Sequence, residues 1–305
     1  MFKTGLVGNL TDHETEVIFM HPGFQVTGCF HPDNNENKTI SRQLPVLSAE
    51  TLVDKNDVLI FYRVSPDMIK LLSGALKKSR HIMLMDTTEL TSGVIAELIK
   101  LREEAQTVVH TRQIERTNPV LHACLPLIIH PSLLEINLLI PETGCNGNGP
   151  VVKNLLRMLD ALLFLNPVNI KKIQALRQPV SASSSCFISA RIDFDSGSVA
   201  NLLFSNITKK ESFIIKIYQK SKILKIDMSG RQLIIFEQSG KNNKINSRTF
   251  KVKKRGDHIL YDELESFYQS ILSKNIYSSE LYETFRVMEL SLNIIAKSGF
   301  SELPE

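Results

Sequence analysis

Lys153, Arg157 and Asp160 fall at i, i+4 and i+7 in an otherwise apolar stretch, so a helix there carries all three on one face. Such a face can line a polar cleft, or it can form a narrow solvated stripe closed by an Arg157–Asp160 ion pair. It suits holding charge better than moving protons. A guanidinium stays protonated in proteins, and a lysine shuttles protons only where it is strongly desolvated. Near the start of the chain, Asp12, Glu14 and Glu16 crowd the beginning of a predicted helix. Carboxylates there complement the helix dipole and repel a phosphate that would use the same positive end.

Other reactive patterns are weak. His110, His122 and His130 are spaced too irregularly for a metal motif. The cysteines Cys29, Cys124, Cys145 and Cys186 form no C-x-x-C pair, so neither a zinc site nor a disulfide framework is expected, and buried free thiols are. The glycines of Gly144–Pro150 are not followed by the Lys-Ser/Thr of a phosphate loop, and Ser181–Ser185 reads as loop chemistry. Lys216 with Lys220, and Lys251 with Lys253, sit at even spacing in strand-like runs, which places each pair on one sheet face.

The chain has 305 residues, 43% hydrophobic and 22% charged, enough for two domains of ordinary globular composition. No apolar run reaches the ~18 residues of a membrane span, and no charged-then-apolar leader opens the sequence, so the expected location is the cytoplasm. A net charge of +4 and a pI near 8.8 without a recognition motif argue against nucleic acid as a partner.

Periodicity divides the chain into two halves. In the first, strand runs (Phe2–Gly8, Gln25–Phe30, Asp57–Tyr62, His81–Met85, Gln106–His110) alternate with helical spacing (Thr11–Met20, Met68–Leu76, Val94–Leu101). That order implies a parallel sheet covered on both sides. Thr11 and Glu14 make a capping-box pattern, and Ser65-Pro66 a helix start. The polar run Asp33–Lys38 reads as a loop. After about residue 119 the text changes to successive strands (Ser132–Ile140, then Cys186–Phe194 through Leu233–Gln238), with one long apolar helix reaching Leu165 and two closing helices. The expected architecture is a Rossmann-like domain over residues 1–120, then an α+β domain over 121–305 with an open, mainly antiparallel sheet. The last helices would pack back on the first domain.

Particular segments narrow this further. Asp57–Tyr62, then Ala75-Leu76, then His81-Ile82-Met83-Leu84-Met85-Asp86-Thr87, resemble the core of the Gfo/Idh/MocA oxidoreductases, whose text there is a D-x-V strand, an A-L helix end and H-V-x-x-E-K-P. Arg116-Thr117-Asn118-Pro119 resembles their R-x-N-P entry to the second domain, and Glu263–Ile271 with Ser279–Gly299 resembles their closing helices. The likeness is patchy but runs from Phe2 to Gly299. It implies NAD or NADP as cofactor, a sugar-like substrate near Arg116 and Asn118, and oligomerisation through the open sheet. Gly8, Asn9, Leu10 and Arg63 would lie beside any dinucleotide, with His31 and Asp33 near its ribose.

The departures from that pattern decide the functional expectation. Of the three glycines in G-x-G-x-x-G, only Gly8 is present; Leu10 and His13 stand at the other two places, where side chains would obstruct pyrophosphate approach and close helix packing. His31 takes the place of the acidic ribose-binding residue. Asp86 takes the place of the E-K-P lysine, and a carboxylate cannot supply positive charge to a developing alkoxide. Lys153, Arg157 and Asp160 match the positions of D-x-x-x-H-x-x-D, so Arg157 replaces the acid–base histidine. The expectation is a divergent pseudoenzyme with weak or absent dinucleotide binding, which keeps either a cleft for a sugar-like or anionic ligand, held through Arg116, Lys153 and Arg157, or a role in binding a protein partner. The alternative is an active NAD(P)-dependent oxidoreductase, acting on a sugar or sugar nucleotide with rearranged residues.

Overall fold

The computed structural model describes residues 1–32, 44–113, 115–141, 149–179, 186–239, 244–252, 258–276 and 280–299. They form two compact units, Met1–Gln113 with Arg255–Arg286, and Ile114–Lys254 with Val287–Glu305.

In the first unit, five parallel strands run in the order β2-β1-β3-β4-β5: β1 Phe2–Val7, β2 Phe24–Phe30, β3 Val58–Phe61, β4 His81–Leu84 and β5 Val109–Thr111. Strand β3 is buried at every residue, as its unbroken apolar text requires of a strand covered on both faces. On one face Leu6, Ile60 and Met83 pack with Val17 and Ile18 of α1 (Asp12–Met20) and with Leu264 and Phe267 of α7 (His258–Leu272). On the other, α2 (Ala49–Lys55) approaches so closely that a Cβ at Gly5 would lie 2.7 Å from Leu52 Cγ.

Local signals place the helix ends. Ser48 caps α2, accepting from Thr51 N, and Thr91 caps α4 (Ser92–Ala105), accepting from Val94 N; each cap contributes ~1 kcal/mol. Ser65 precedes a short 3₁₀ turn, Pro66–Met68, without a side-chain cap bond, and α3 (Ile69–Lys77) follows. Gln106 does not begin a strand as its apolar neighbours suggest. It is the left-handed C-cap of α4, at φ 53°, and β5 starts only at Val109.

The second unit is an eight-stranded sheet ordered β13-β12-β11-β10-β6-β9-β8-β7. Its strands are β6 Leu133–Pro141, β7 Ile170–Pro179, β8 Cys186–Phe194, β9 Val199–Thr208, β10 Ser212–Gln219, β11 Lys222–Asp227, β12 Gln232–Ser239 and β13 Lys244–Lys251. All neighbours are antiparallel except β6 and β9. Alternate residues such as Ile136, Leu202, Phe204 and Ile215 face inward, onto Leu155, Met158, Leu159 and Leu162 of α6 (Gly149–Leu165). Short α5 (Pro119–Cys124) and the Val287–Ile295 part of α8 (Glu280–Lys297) complete that core. Lys220 lies in the turn after β10, so it does not share a strand face with Lys216; Lys253, Cys145 and the Asp33–Lys38 run lie outside the described residues. Cys29 and Cys124 are buried free thiols, and burial pushes the Cys124 thiol up to about 12. No helix among the described residues is long and apolar enough to cross a membrane.

Candidate functional site

The turn from β1 into α1 starts at Gly8, whose φ of +92° lies in the left-handed region that glycine adopts without strain. Its N–H donates to Phe30 O at 2.9 Å, joining the ends of β1 and β2. Leu10 corrects the expectation drawn from sequence. Its side chain does not stand in a phosphate's approach but turns inward, 5% exposed, into the core with Val17, Ile18 and Phe267. His13 is exposed.

The start of α1 carries its own anion. Glu14 N donates to Thr11 Oγ1 (3.2 Å), while Thr11 N (3.1 Å) and Thr11 Oγ1 (2.8 Å) both donate to Glu14 Oε2. This is the reciprocal cap that the Thr11/Glu14 spacing announced. The carboxylate therefore sits at the positive end of the helix, where a phosphate would otherwise be held. Its second oxygen meets Arg112 Nη1 at 3.4 Å, and Arg112 Nε donates to Glu263 Oε2 at 2.8 Å. Glu263, on α7, is 3% exposed. Burial pushes its carboxyl up to about 6, against the opposing pull of Arg112 and the Gln113 backbone N–H.

Beside this turn lies a hollow of about 330 Å³, lined by Gly8, Asn9, Tyr62, Arg63, Ser65 and Glu89 among others. Arg63 is ion-paired to Glu89. His31 is half-buried, its Nδ1 lies 2.9 Å from Asn9 Oδ1, and its Nε2 has no hydrogen-bond partner among the described residues. Asp33 lies outside the described residues. Asp86, just past β4, accepts from Thr88 N (2.9 Å) and Thr88 Oγ1 (2.5 Å) through Oδ1, so its carboxylate shapes the turn that follows the strand.

In the second unit the residues of the α6 face pair differently from the expected Arg157–Asp160 bridge. Arg116 Nε donates to Asp160 Oδ1 at 2.6 Å, and the Arg116 guanidinium lies over the Phe164 ring. Arg157 Nε donates to Glu115 Oε1 at 2.6 Å, with Asn154 and Glu211 as further partners at 3.2 Å each. The i, i+3 spacing of Arg157 and Asp160 allowed their pairing; the segment 115–118 packed beside α6 supplies nearer partners to both. Burial raises the Asp160 and Glu115 carboxyls even though each has a guanidinium in contact. Desolvation outweighs the ion pair in both cases. Lys153 is exposed on the same helix. Asn118 caps α5, accepting from Val120 N at 3.0 Å.

Two guanidiniums thus face three carboxylates, which neutralises the cationic wall expected to hold an anion. Glu14's tie to Arg112 and Glu263, and the pairing of Glu115, were missed from sequence. A signal existed for Glu263: it lies three residues after Leu260 and four before Phe267, inside the apolar stripe of α7.

No model of a known protein family matches the chain, and no curated protein matches it by sequence. Solved structures do match in shape. A UDP-N-acetylglucosamine 3-dehydrogenase from Acidithiobacillus ferrooxidans superposes with a TM-score of 0.82 at 17% identity, covering 98% of each chain. A Clostridium difficile dehydrogenase gives 0.82 at 15% identity over 97% of this chain and 99% of that one. The biliverdin reductase of a Synechocystis species, solved with biliverdin and NADP+, gives 0.78 at 14% identity over 97% and 99%. The chain therefore has the two-domain fold of the Gfo/Idh/MocA-type dehydrogenases, with a parallel Rossmann-like sheet followed by a mainly antiparallel one.

Proposed function

We propose that this chain is a divergent form of the dehydrogenase fold that has given up dinucleotide binding and hydride transfer, and that it acts by binding a hydroxyl-rich, sugar-like ligand. The observation that carries this reading is the Glu14 carboxylate at the start of α1, bonded by Thr11 and tied to Arg112. A dinucleotide pyrophosphate at that helix end would have to displace a negative group already satisfied there. The replacements support the same reading. Asp86 is engaged with Thr88, and Arg157 with Glu115, so neither offers a mobile proton beside a substrate. Paired carboxylates and guanidiniums such as Asp160–Arg116 suit neutral hydroxyls better than a second anion.

A second reading, an active NAD(P)-dependent oxidoreductase acting on a sugar or sugar nucleotide, is favoured by one feature. Leu10 points inward and Gly8 keeps its left-handed turn, leaving the hollow at Gly8, Arg63 and Ser65 open. Titration with NADH and NADPH, followed by cofactor fluorescence, separates the two. The first reading expects no saturable binding below about 1 mM, which corresponds to roughly −4 kcal/mol. Micromolar binding, with turnover of a sugar or sugar nucleotide, establishes the second.

A second copy of the chain is the protein partner in this reading, held through the outer face of the larger sheet on its β9–β7 side. Leu176, Ser189 and Leu203 form one cross-strand row there, and Leu176, Leu203 and Ile207 are exposed. Sedimentation equilibrium tests it, and a monomer throughout the micromolar range refutes it.

A further inference from the structure

On the other half of the same outer face, over β10 to β13, the sheet forms a concavity of about 750 Å³. That is the size of a small-molecule site. Its floor is built from alternate residues of neighbouring strands: Lys216 and Tyr218 of β10, Ile223 and Lys225 of β11, Phe236 of β12 and Ile245 of β13. Lys216 and Lys225 stand directly opposite each other in the β10–β11 register. Two like charges in that relation disfavour the sheet unless something neutralises them.

Only one of the two is neutralised. Lys216 Nζ donates to Glu135 Oε2 at 3.3 Å, and Tyr218 Oη donates to the same oxygen at 2.9 Å. Lys222, at the rim, is occupied by Glu237 at 2.9 Å. Lys225 is half-buried and has no carboxylate partner among the described residues. The Lys225 side chain, without a carboxylate partner among the described residues, lines the concavity with Ile223, Phe236 and Ile245, and Tyr218 and Gln238 add polar atoms to the same lining.

We infer that this concavity binds a small amphipathic anion, with a carboxylate or sulfonate on Lys225 and Lys216 and an aromatic or aliphatic body against Ile223, Phe236 and Ile245. Each half of that ligand answers a feature of the surface. The anion supplies the counter-charge that Lys225, opposed to Lys216, has from no carboxylate among the described residues, and the body covers apolar area that an antiparallel sheet ordinarily leaves polar on its solvated side. The site shares no residue with the α1 turn or the α6 face, and does not depend on the sugar-like reading of those regions.

The probe is anilinonaphthalenesulfonate, titrated into the full chain and followed by its fluorescence. One saturable site is expected, displaced by decanoate and not by decanol. Lys225→Glu should weaken it by about tenfold or more, as expected when a hydrogen bond to a charged group is lost and the charge reversed. Lys225→Gln keeps most of the side chain and removes the charge. It should weaken binding by a smaller factor while the near-ultraviolet circular dichroism stays unchanged, and it decides the matter if Lys225→Glu fails to fold. Unchanged affinity in Lys225→Gln, or decanol competing as well as decanoate, overturns the inference. So does a result in which the probe binds only to variants that sediment as smaller species, since a second copy of the chain would then be the occupant of this half of the face.

Discussion

Glu263 offers a measurable consequence of the Arg112 tie. It is 3% exposed, and that burial pushes its carboxyl up from the ordinary 4.5 to about 6. A tenfold change in proton affinity is worth ~1.4 kcal/mol, so the ionised form costs the fold ~2 kcal/mol relative to the protonated one. The direction follows from linkage. The folded carboxyl holds its proton more tightly than the unfolded one, so its contribution is fully present below pH ~4.5 and is lost as the pH rises through ~6. Glu263→Gln substitutes a permanently neutral isostere, and Arg112 keeps Glu14 as a partner. Urea unfolding at pH ~4 and at pH ~7.5 should show the variant nearly equal to the parent at the lower pH and more stable by ~2 kcal/mol at the higher. If Glu263→Gln is destabilised at pH 7.5, or if the difference does not change with pH, the ion pair outweighs the burial and the reasoning fails.

Three further outcomes are expected. Arg157→Met leaves Glu115, 6% exposed, without its guanidinium; a loss of about 2 kcal/mol in urea unfolding is expected, below the ~3–5 of a fully buried pair because Arg157 is itself 31% exposed. Leu10→Gly restores the second glycine of the turn yet should destabilise the fold by about 3 kcal/mol through the lost core side chain without creating NADH affinity, so any gain of saturable binding would show that Leu10 and not Glu14 closes the site. His21 is buried, with Gly23 N donating to its Nδ1 at 3.1 Å and its Nε2 lying 3.0 Å from Glu265; burial lowers its pKa despite Glu265. Its contribution to stability is therefore present above pH ~6.5 and declines as the pH falls, and ring-carbon chemical shifts titrating at or above ~6.5 would contradict that.

Much of the scaffold and part of the site were legible from short-range rules. The buried run Val58–Phe61, the Thr11/Glu14 cap and the alternation along β9 and β10 each depend on neighbours within a few residues. Helical and strand periods report such neighbours directly. The end of α4 at Gln106 is not legible in this way, because a left-handed cap leaves no hydrophobic signature. The inward turn of Leu10 is hidden from the sequence for a related reason. Its place in a glycine pattern says that a side chain is present, but not that the backbone turns it into the core.

What sequence alone determined is therefore the order and type of most elements, the charge at the start of α1, and the side chains that stand at the glycine, lysine and histidine places of the resembled pattern. Tertiary structure alone decided what those charges do. Glu14 meets Arg112 from the end of β5, and Arg112 meets Glu263 from α7, about 150 residues away along the chain. Arg157 finds Glu115 rather than Asp160, and Lys225 faces Lys216 only because β10 and β11 pair in one register. Ion pairing and desolvation depend on distances through space of a few ångströms, and those distances are set by how the sheets and helices pack.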